Sequence, residues 1–116
     1  MMPKLYSNEE MHKARNVNLA MFLSDYDPYR YNMNRRGYIV DEEKETIVFS
    51  LKSGHWFNNT EVAVGKKMKH GNIIDYLMYI EGETFPDAMQ IILRWISLAE
   101  QSGVSTKNPF LENTEK

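Results

Sequence analysis

Apolar residues recur with helical spacing once near the N-terminus and twice in the C-terminal half of the chain. Each stretch follows an Asn or Thr, whose side chain can accept hydrogen bonds from the first free amides of a helix. Ser7 and Glu10 have the spacing of a capping box, which predicts a further helix from about residue 8. The apolar positions are Val17, Leu19, Ala20, Phe22 and Leu23, then Ile73, Ile74, Leu77, Met78 and Ile80, and finally Ala88, Ile91, Ile92, Trp95, Ile96 and Ala99.

Capping and turn residues predict where these helices begin and end. Asn16 or Asn18 can cap the second helix, which should stop by Ser24 because the next four residues, ending in Pro28, are typical of a turn. In the C-terminal half, a glycine precedes or follows each helix, and glycine adopts turn conformations without steric cost. Gly71 frees the backbone to turn before Asn72 caps one helix, Gly82 ends it, Thr84 caps the last helix, and Gly103 can close that helix.

Runs of β-branched and aromatic residues predict strands in the middle of the chain. Tyr38–Val40 and Thr46–Leu51 are two of them, and a turn at residues 52–54 returns the chain as His55–Asn58. Residues 30–37 are typical of an irregular or edge segment, and residues 59–70 of a loop with a possible short strand at Val62–Val64.

These elements predict an α+β fold in which a small antiparallel β-sheet packs with N-terminal helices and two C-terminal helices. We expect a single domain over residues 1–103. Residues 104–116 are polar with little apolar content, so we expect a flexible C-terminal tail.

Composition narrows the class of protein without naming a function. The chain has 116 residues, no cysteine and no apolar run long enough for a membrane span, which fits a cytoplasmic protein. Its net charge of −2 is uneven, since residues 29–72 hold eight Lys and Arg against five Asp and Glu. A basic middle can suit a polyanionic partner, although solvated charge is the commoner explanation.

No motif predicts catalysis. The three histidines (12, 55 and 70) are widely spaced, and neither a phosphate-binding loop nor a nucleophile elbow is present. The acidic run 41–45 is interpreted as a solvated turn, and a small metal-dependent nuclease built on it is the weaker alternative. We therefore expect a protein that is not an enzyme and needs no metal or cofactor.

The order of motifs resembles the zinc-ribbon domain at the N-terminus of bacterial replicative primases, and more closely its zinc-less relatives in Toprim proteins of mobile elements. The resemblance runs from about Ala14 to Leu93. Ile47–Leu51 is similar to the family's Ser-Phe-x-Val strand and His55–Phe57 to its aromatic return strand. His70–Asn72 stands where the family has Gly-Gly-Asp/Asn, and Phe85–Ala88 where it has Phe-x-Glu-Ala.

The family's zinc ligands are missing at the corresponding positions. Its Cys-x-x-His pair falls near Ile39 and Glu42, and its Cys-x-x-Cys pair near Asn58 and the 59–69 loop. The resemblance therefore implies a zinc-ribbon-like sheet without zinc.

The resemblance implies a non-catalytic accessory subunit of a DNA replication or priming complex. Such a subunit would bind single-stranded template DNA together with a partner DNA polymerase, primase or helicase. Template binding needs cationic groups and aromatic faces. The candidate nucleic-acid-binding residues are Arg30, Arg35, Arg36, Tyr38, Lys52, His55, Trp56, Lys66, Lys67, Lys69 and His70.

Two alternatives remain open at this point. The aromatic and histidine residues of this set can simply pack the sheet, and the lysines can keep a loop soluble. A protein-interaction module without nucleic-acid binding would instead use an exposed apolar strip on the last helix, for which Met89, Trp95 and Leu98 are the candidates unless they belong to the core.

Overall fold

The computed structural model describes residues 6–44, 46–58 and 70–109. Within them the chain forms four helices and five strands. In chain order these are α1 Asn8–Arg15, α2 Leu19–Tyr26, β1 Tyr31–Met33, β2 Tyr38–Asp41, β3 Ile47–Ser50, β4 His55–Asn58, β5 His70–Gly71, α3, and α4 Phe85–Gln101. Helix α3 starts as one α-helical turn, Ile73–Asp75, and continues as a π-helical turn, Tyr76–Ile80.

The predicted helix caps are confirmed. The Ser7 and Asn72 side chains each accept a hydrogen bond from the amide three residues later, and both sites form complete capping boxes. Asn18, rather than Asn16, caps α2, and Thr84 caps α4. Because these side chains satisfy amides that a helix leaves free, the local sequence determines where each helix begins.

The five strands form one antiparallel sheet in the order β1-β2-β3-β4-β5. Together with the helices it makes an α+β fold, as the sequence predicts. Strands that follow one another in the chain are therefore neighbours throughout the sheet.

The hydrophobic core lies between one face of the sheet and the helices. Ile39, Phe49 and Trp56, on three adjacent strands, form one cross-strand row, and all are buried. The apolar stripes of α2, α3 and α4 complete the same cluster. No helix among residues 6–44, 46–58 and 70–109 is long and apolar enough to cross a membrane.

Three local expectations are corrected by the structure. Helix α2 continues two residues beyond Ser24, to Tyr26. His70 and Gly71 form an edge strand on β4 rather than a turn. A Cβ at residue 71 would lie 2.6 Å from the Asp75 carboxylate. Glycine therefore allows the backbone to lie close to Asp75, and it is not needed there for a turn conformation.

The prediction of a flexible tail is also wrong for its first residues, 104–109. Thr106 and Asn108 are buried, and the Asn18 amide donates to the Thr106 carbonyl at 2.8 Å. The Asn108 side chain donates to the carbonyl of Leu51 at 2.9 Å. The chain after α4 therefore packs back onto the α1–α2 connection, and residues 110–116 lie outside the described residues, as do residues 62–64.

Candidate nucleic-acid interface and a buried arginine cluster

Alternation along the strands gives the sheet two chemically different faces. The inner face carries the buried row described above, while residues one position away point outward. Tyr38, Val40 and Phe57 are half-buried on this outer face, and His55 and His70 are exposed. None of these five side chains belongs to the hydrophobic core cluster between sheet and helices.

Strand register brings the outer residues into two cross-strand rows. Tyr38 pairs with Ser50, and Ser50 pairs with His55. The adjacent row runs from Val40 through Val48 and Phe57 to His70. The Tyr38 and Phe57 rings meet edge to face, with 6.2 Å between centroids. We call the side chains Tyr38, His55, Phe57 and His70 the outer sheet face.

Cationic residues lie at one end of this sheet. Arg35 and Arg36 occupy the β1–β2 turn, and Lys52 occupies the β3–β4 turn; all three are exposed. In an antiparallel sheet of consecutive strands, the first and third connections are at the same end. His55 begins β4 at that end, so these three cations border the outer sheet face.

Two predicted DNA-contacting residues are corrected. Trp56 is completely buried on the inner face, where its indole Nε1 donates to the Asn72 carbonyl at 2.9 Å. Arg30 is only 7% exposed, and its guanidinium is occupied by carboxylates. Neither side chain is available to a base or a phosphate. Lys66, Lys67 and Lys69 lie outside the described residues.

Arg30 instead forms the centre of a buried cluster. Its Nε and Nη2 donate to the two Asp41 carboxylate oxygens at 2.8 and 2.9 Å, and Nη2 also donates to Glu81 at 2.8 Å. Tyr76 donates its hydroxyl to Asp41 at 2.6 Å and shares a 2.9 Å hydrogen bond with the Tyr31 hydroxyl. The acidic run 41–45 is therefore not wholly a solvated turn, because Asp41 is fully buried at the end of β2.

The electrostatics of the cluster favour its ionised form. Burial by itself would raise the pKa of Asp41, but the hydrogen bonds from Arg30 and Tyr76 outweigh it and hold the pKa below its usual value. The pKa of Glu81 is lowered in the same way, with Arg30 again opposing the effect of burial. Burial, followed by the hydrogen bond to Asp41, raises the pKa of Tyr76. At neutral pH, Asp41 and Glu81 therefore stay ionised and Tyr76 stays neutral.

The cluster connects the sheet to α3. Arg30 precedes β1 and Asp41 ends β2. Tyr76 begins the π-helical turn of α3, and Glu81 follows that turn directly. No buried side-chain nitrogen or oxygen in the described parts of the chain lacks a hydrogen-bond partner. A cluster whose buried polar groups are all satisfied holds the fold together.

One sequence signal would have found this cluster. Asp41 lies two residues after the inner-face residue Ile39, so strand alternation places it inward as well. A carboxylate that points into the core needs a cation as its partner, and Arg30 directly precedes the neighbouring strand β1. Tyr76 carried no such signal, because a tyrosine next to the apolar positions of a helix is equally suited to plain packing.

No group of three or more His, Asp and Glu side chains that could hold a metal ion occurs within residues 6–44, 46–58 and 70–109. The chain matches no family model, no curated protein and no solved structure.

Proposed function

We propose that this protein is a non-catalytic accessory subunit of a DNA replication or priming complex that binds single-stranded template DNA on its outer sheet face. The observation that carries the proposal is the grouping of Tyr38, His55 and His70 on one face, next to Phe57. These three residues, each a candidate nucleic-acid-binding residue from the sequence, share one surface.

The chemistry of this surface suits a single strand. Half-buried aromatic rings keep a fixed orientation while leaving part of each ring open, and unpaired bases can stack on such rings. Stacking is tolerant of sequence and contributes about 1–3 kcal/mol per base. Duplex DNA hides its base faces, so a stacking surface favours single strands.

The bordering cations suit the phosphate backbone. Arg35, Arg36 and Lys52 extend from two turns at one end of the sheet, where a strand crossing the outer face would leave it. Each phosphate contact releases condensed counterions, so binding through these residues should weaken as salt rises.

The replication setting comes from the resemblance to the primase zinc-ribbon domain and its zinc-less relatives. In that family the domain contacts template, and a separate catalytic domain makes primers. By this analogy, catalysis would come from a partner DNA polymerase, primase or helicase.

The test is fluorescence anisotropy of labelled single-stranded and duplex DNA, each at two salt concentrations. We expect salt-sensitive binding that prefers the single strand. A Tyr38→Leu/Phe57→Leu variant should weaken binding at least about thirtyfold, since leucine keeps apolar bulk but removes both stacking rings.

Charge variants supply the matched comparison. Arg35→Gln/Arg36→Gln should weaken binding and lower the salt dependence, whereas Lys13→Gln/Arg15→Gln, which removes two charges from α1, should do neither. Equal effects of the two pairs would mean that overall charge, and not this surface, attracts DNA. No binding by the wild type at tens of micromolar would refute the proposal and favour the protein-interaction module, whose contacts respond little to salt.

A further inference from the structure

A groove of about 420 Å³ runs between α2 and α4, on the helical side of the molecule. Its floor includes Ile91, Trp95 and Leu98, which recur along α4 at intervals of four and three residues and so line one side of the helix. These residues form a second apolar stripe, beside the stripe that packs into the core. Met89, which the sequence suggested for an exposed strip, is fully buried and belongs to the core.

The floor of the groove is held by side-chain contacts and is partly uncovered. The Trp95 ring packs edge to face on Phe22 at 5.4 Å, and its Nε1 donates to Asp25 at 2.7 Å. Leu98 is 58% exposed. An indole held by two partners gives up little conformational freedom when a ligand covers it, which favours binding.

The rim of the groove is acidic. Asp25, Glu83 and Asp87 contribute three carboxylates, and Arg94 contributes one cation. From Asp87 to Leu98 the groove follows about 16 Å of α4, close to three helical turns. An apolar floor of this length with a net negative rim is complementary to an apolar stripe flanked by cations.

We propose that this groove binds the apolar face of a basic amphipathic helix from a partner protein. Leucine-like side chains would cover Trp95 and Leu98, and flanking Lys or Arg would pair with the rim carboxylates. Helix-in-groove recognition uses this arrangement of anchors three and four residues apart. A second copy of the chain fits less well, because a two-fold contact through the groove would bring the acidic rims together.

The groove is independent of the DNA-binding proposal. Its residues come from helices that pack on the inner side of the sheet, whereas DNA would bind the outer sheet face. A test that uses peptides and no DNA therefore reports on the groove alone.

The experiment compares two labelled 14-residue peptides by fluorescence anisotropy. Both carry leucine at positions i, i+3, i+4 and i+7 of a repeating pattern, with lysine at the remaining positions in one peptide and glutamate in the other. We expect the lysine peptide to bind about tenfold more tightly than the glutamate peptide. It should also shift the emission of Trp95, since the other tryptophan, Trp56, is fully buried.

Charge reversal provides the decisive comparison. Glu83→Lys/Asp87→Lys should reverse the preference toward the glutamate peptide, and Leu98→Asp should weaken binding of both peptides. Glu9→Lys/Glu42→Lys changes the same net charge at exposed sites away from the groove and should keep the wild-type preference. Circular dichroism of each variant establishes that it is folded.

Three results would overturn the proposal. One is equal binding of the two peptides by the folded wild type. Another is the same reversal of preference in the Glu9/Glu42 variant as in the Glu83/Asp87 variant. The last is a concentration-dependent dimer in sedimentation that Leu98→Asp abolishes, which would assign the groove to a second copy of the chain.

Discussion

Replacing Asp41 by Asn should strongly destabilise the fold, although it changes only one atom of the side chain. Oδ1 accepts from Arg30 Nε and from the backbone amides of Glu43 and Lys44, while Oδ2 accepts from Arg30 Nη2 and the Tyr76 hydroxyl. The Arg30 and backbone N–H groups can only donate, and Arg30 donates to both carboxylate oxygens. The NH₂ group of asparagine would therefore face donors in either orientation of the amide.

The size of the effect follows from burial and from the partner that remains. Removing one member of a buried ion pair costs about 3–5 kcal/mol, because the other charge stays buried without compensation. Glu81 still pairs with Arg30 at 2.8 Å, which places the expected loss for Asp41→Asn at the lower end, about 3 kcal/mol. In urea denaturation, this corresponds to a midpoint lowered by about 2 M.

Two further variants make the test specific. Glu43 also faces Arg30, at 3.8 Å, but is 65% exposed, so Glu43→Gln should change the free energy of unfolding by less than about 0.5 kcal/mol. The triple variant Arg30→Met/Asp41→Leu/Glu81→Gln leaves no charge of the buried pairs without its partner and should recover part of the loss. The reasoning fails if Asp41→Asn unfolds within about 1 kcal/mol of wild type, or if it costs no more than Glu43→Gln.

Three other outcomes follow from the structure. The folded-state pKa values of Asp41 and Glu81 lie below the ordinary 3.8 and 4.5, so these carboxylates stabilise the folded state fully at any pH above the ordinary values. Their contribution to the free energy of unfolding should be lost as the pH falls through the lowered folded-state values. Urea denaturation midpoints measured from pH 6 to 2 test this, and an unchanged midpoint would contradict it. Tyr29 is fully exposed with φ of +74°, so Tyr29→Gly should raise the free energy of unfolding by about 0.5–1 kcal/mol, and a loss of stability would argue against strain at that position. Asn108→Ala removes the buried hydrogen bond to the Leu51 carbonyl and should lower thermal stability by about 1–2 kcal/mol, whereas a neutral result would mean that the segment after α4 contributes little.

The proposed partner surfaces lie on opposite layers of the molecule. The outer sheet face is bordered by arginine and lysine, and the α2–α4 groove is bordered mainly by carboxylates. A single-stranded nucleic acid and a basic helix would thus be attracted to different sides, so both could bind at once. Such an arrangement suits a subunit that links template to a catalytic partner.

The starts of the helices and most of the strands can be predicted from the amino-acid sequence alone. Ser7, Asn18, Asn72 and Thr84 each cap a helix by accepting a hydrogen bond from the amide three residues later, so the information is local. The hairpin strands β2, β3 and β4 follow from short apolar runs separated by turns. These signals act within a few residues and can be seen without the fold.

Which polar and aromatic residues face outward depends on how the sheet and helices pack in three dimensions. Arg30 and Trp56 are residue types that often contact nucleic acids. In the structure, however, Arg30 pairs with Asp41 and Trp56 packs on the inner face of the sheet. Tyr38 and His55 share the outer face because Ser50 lies in register between them. Burial and register depend on residues distant in the chain, since they are set when the sheet packs against the helices.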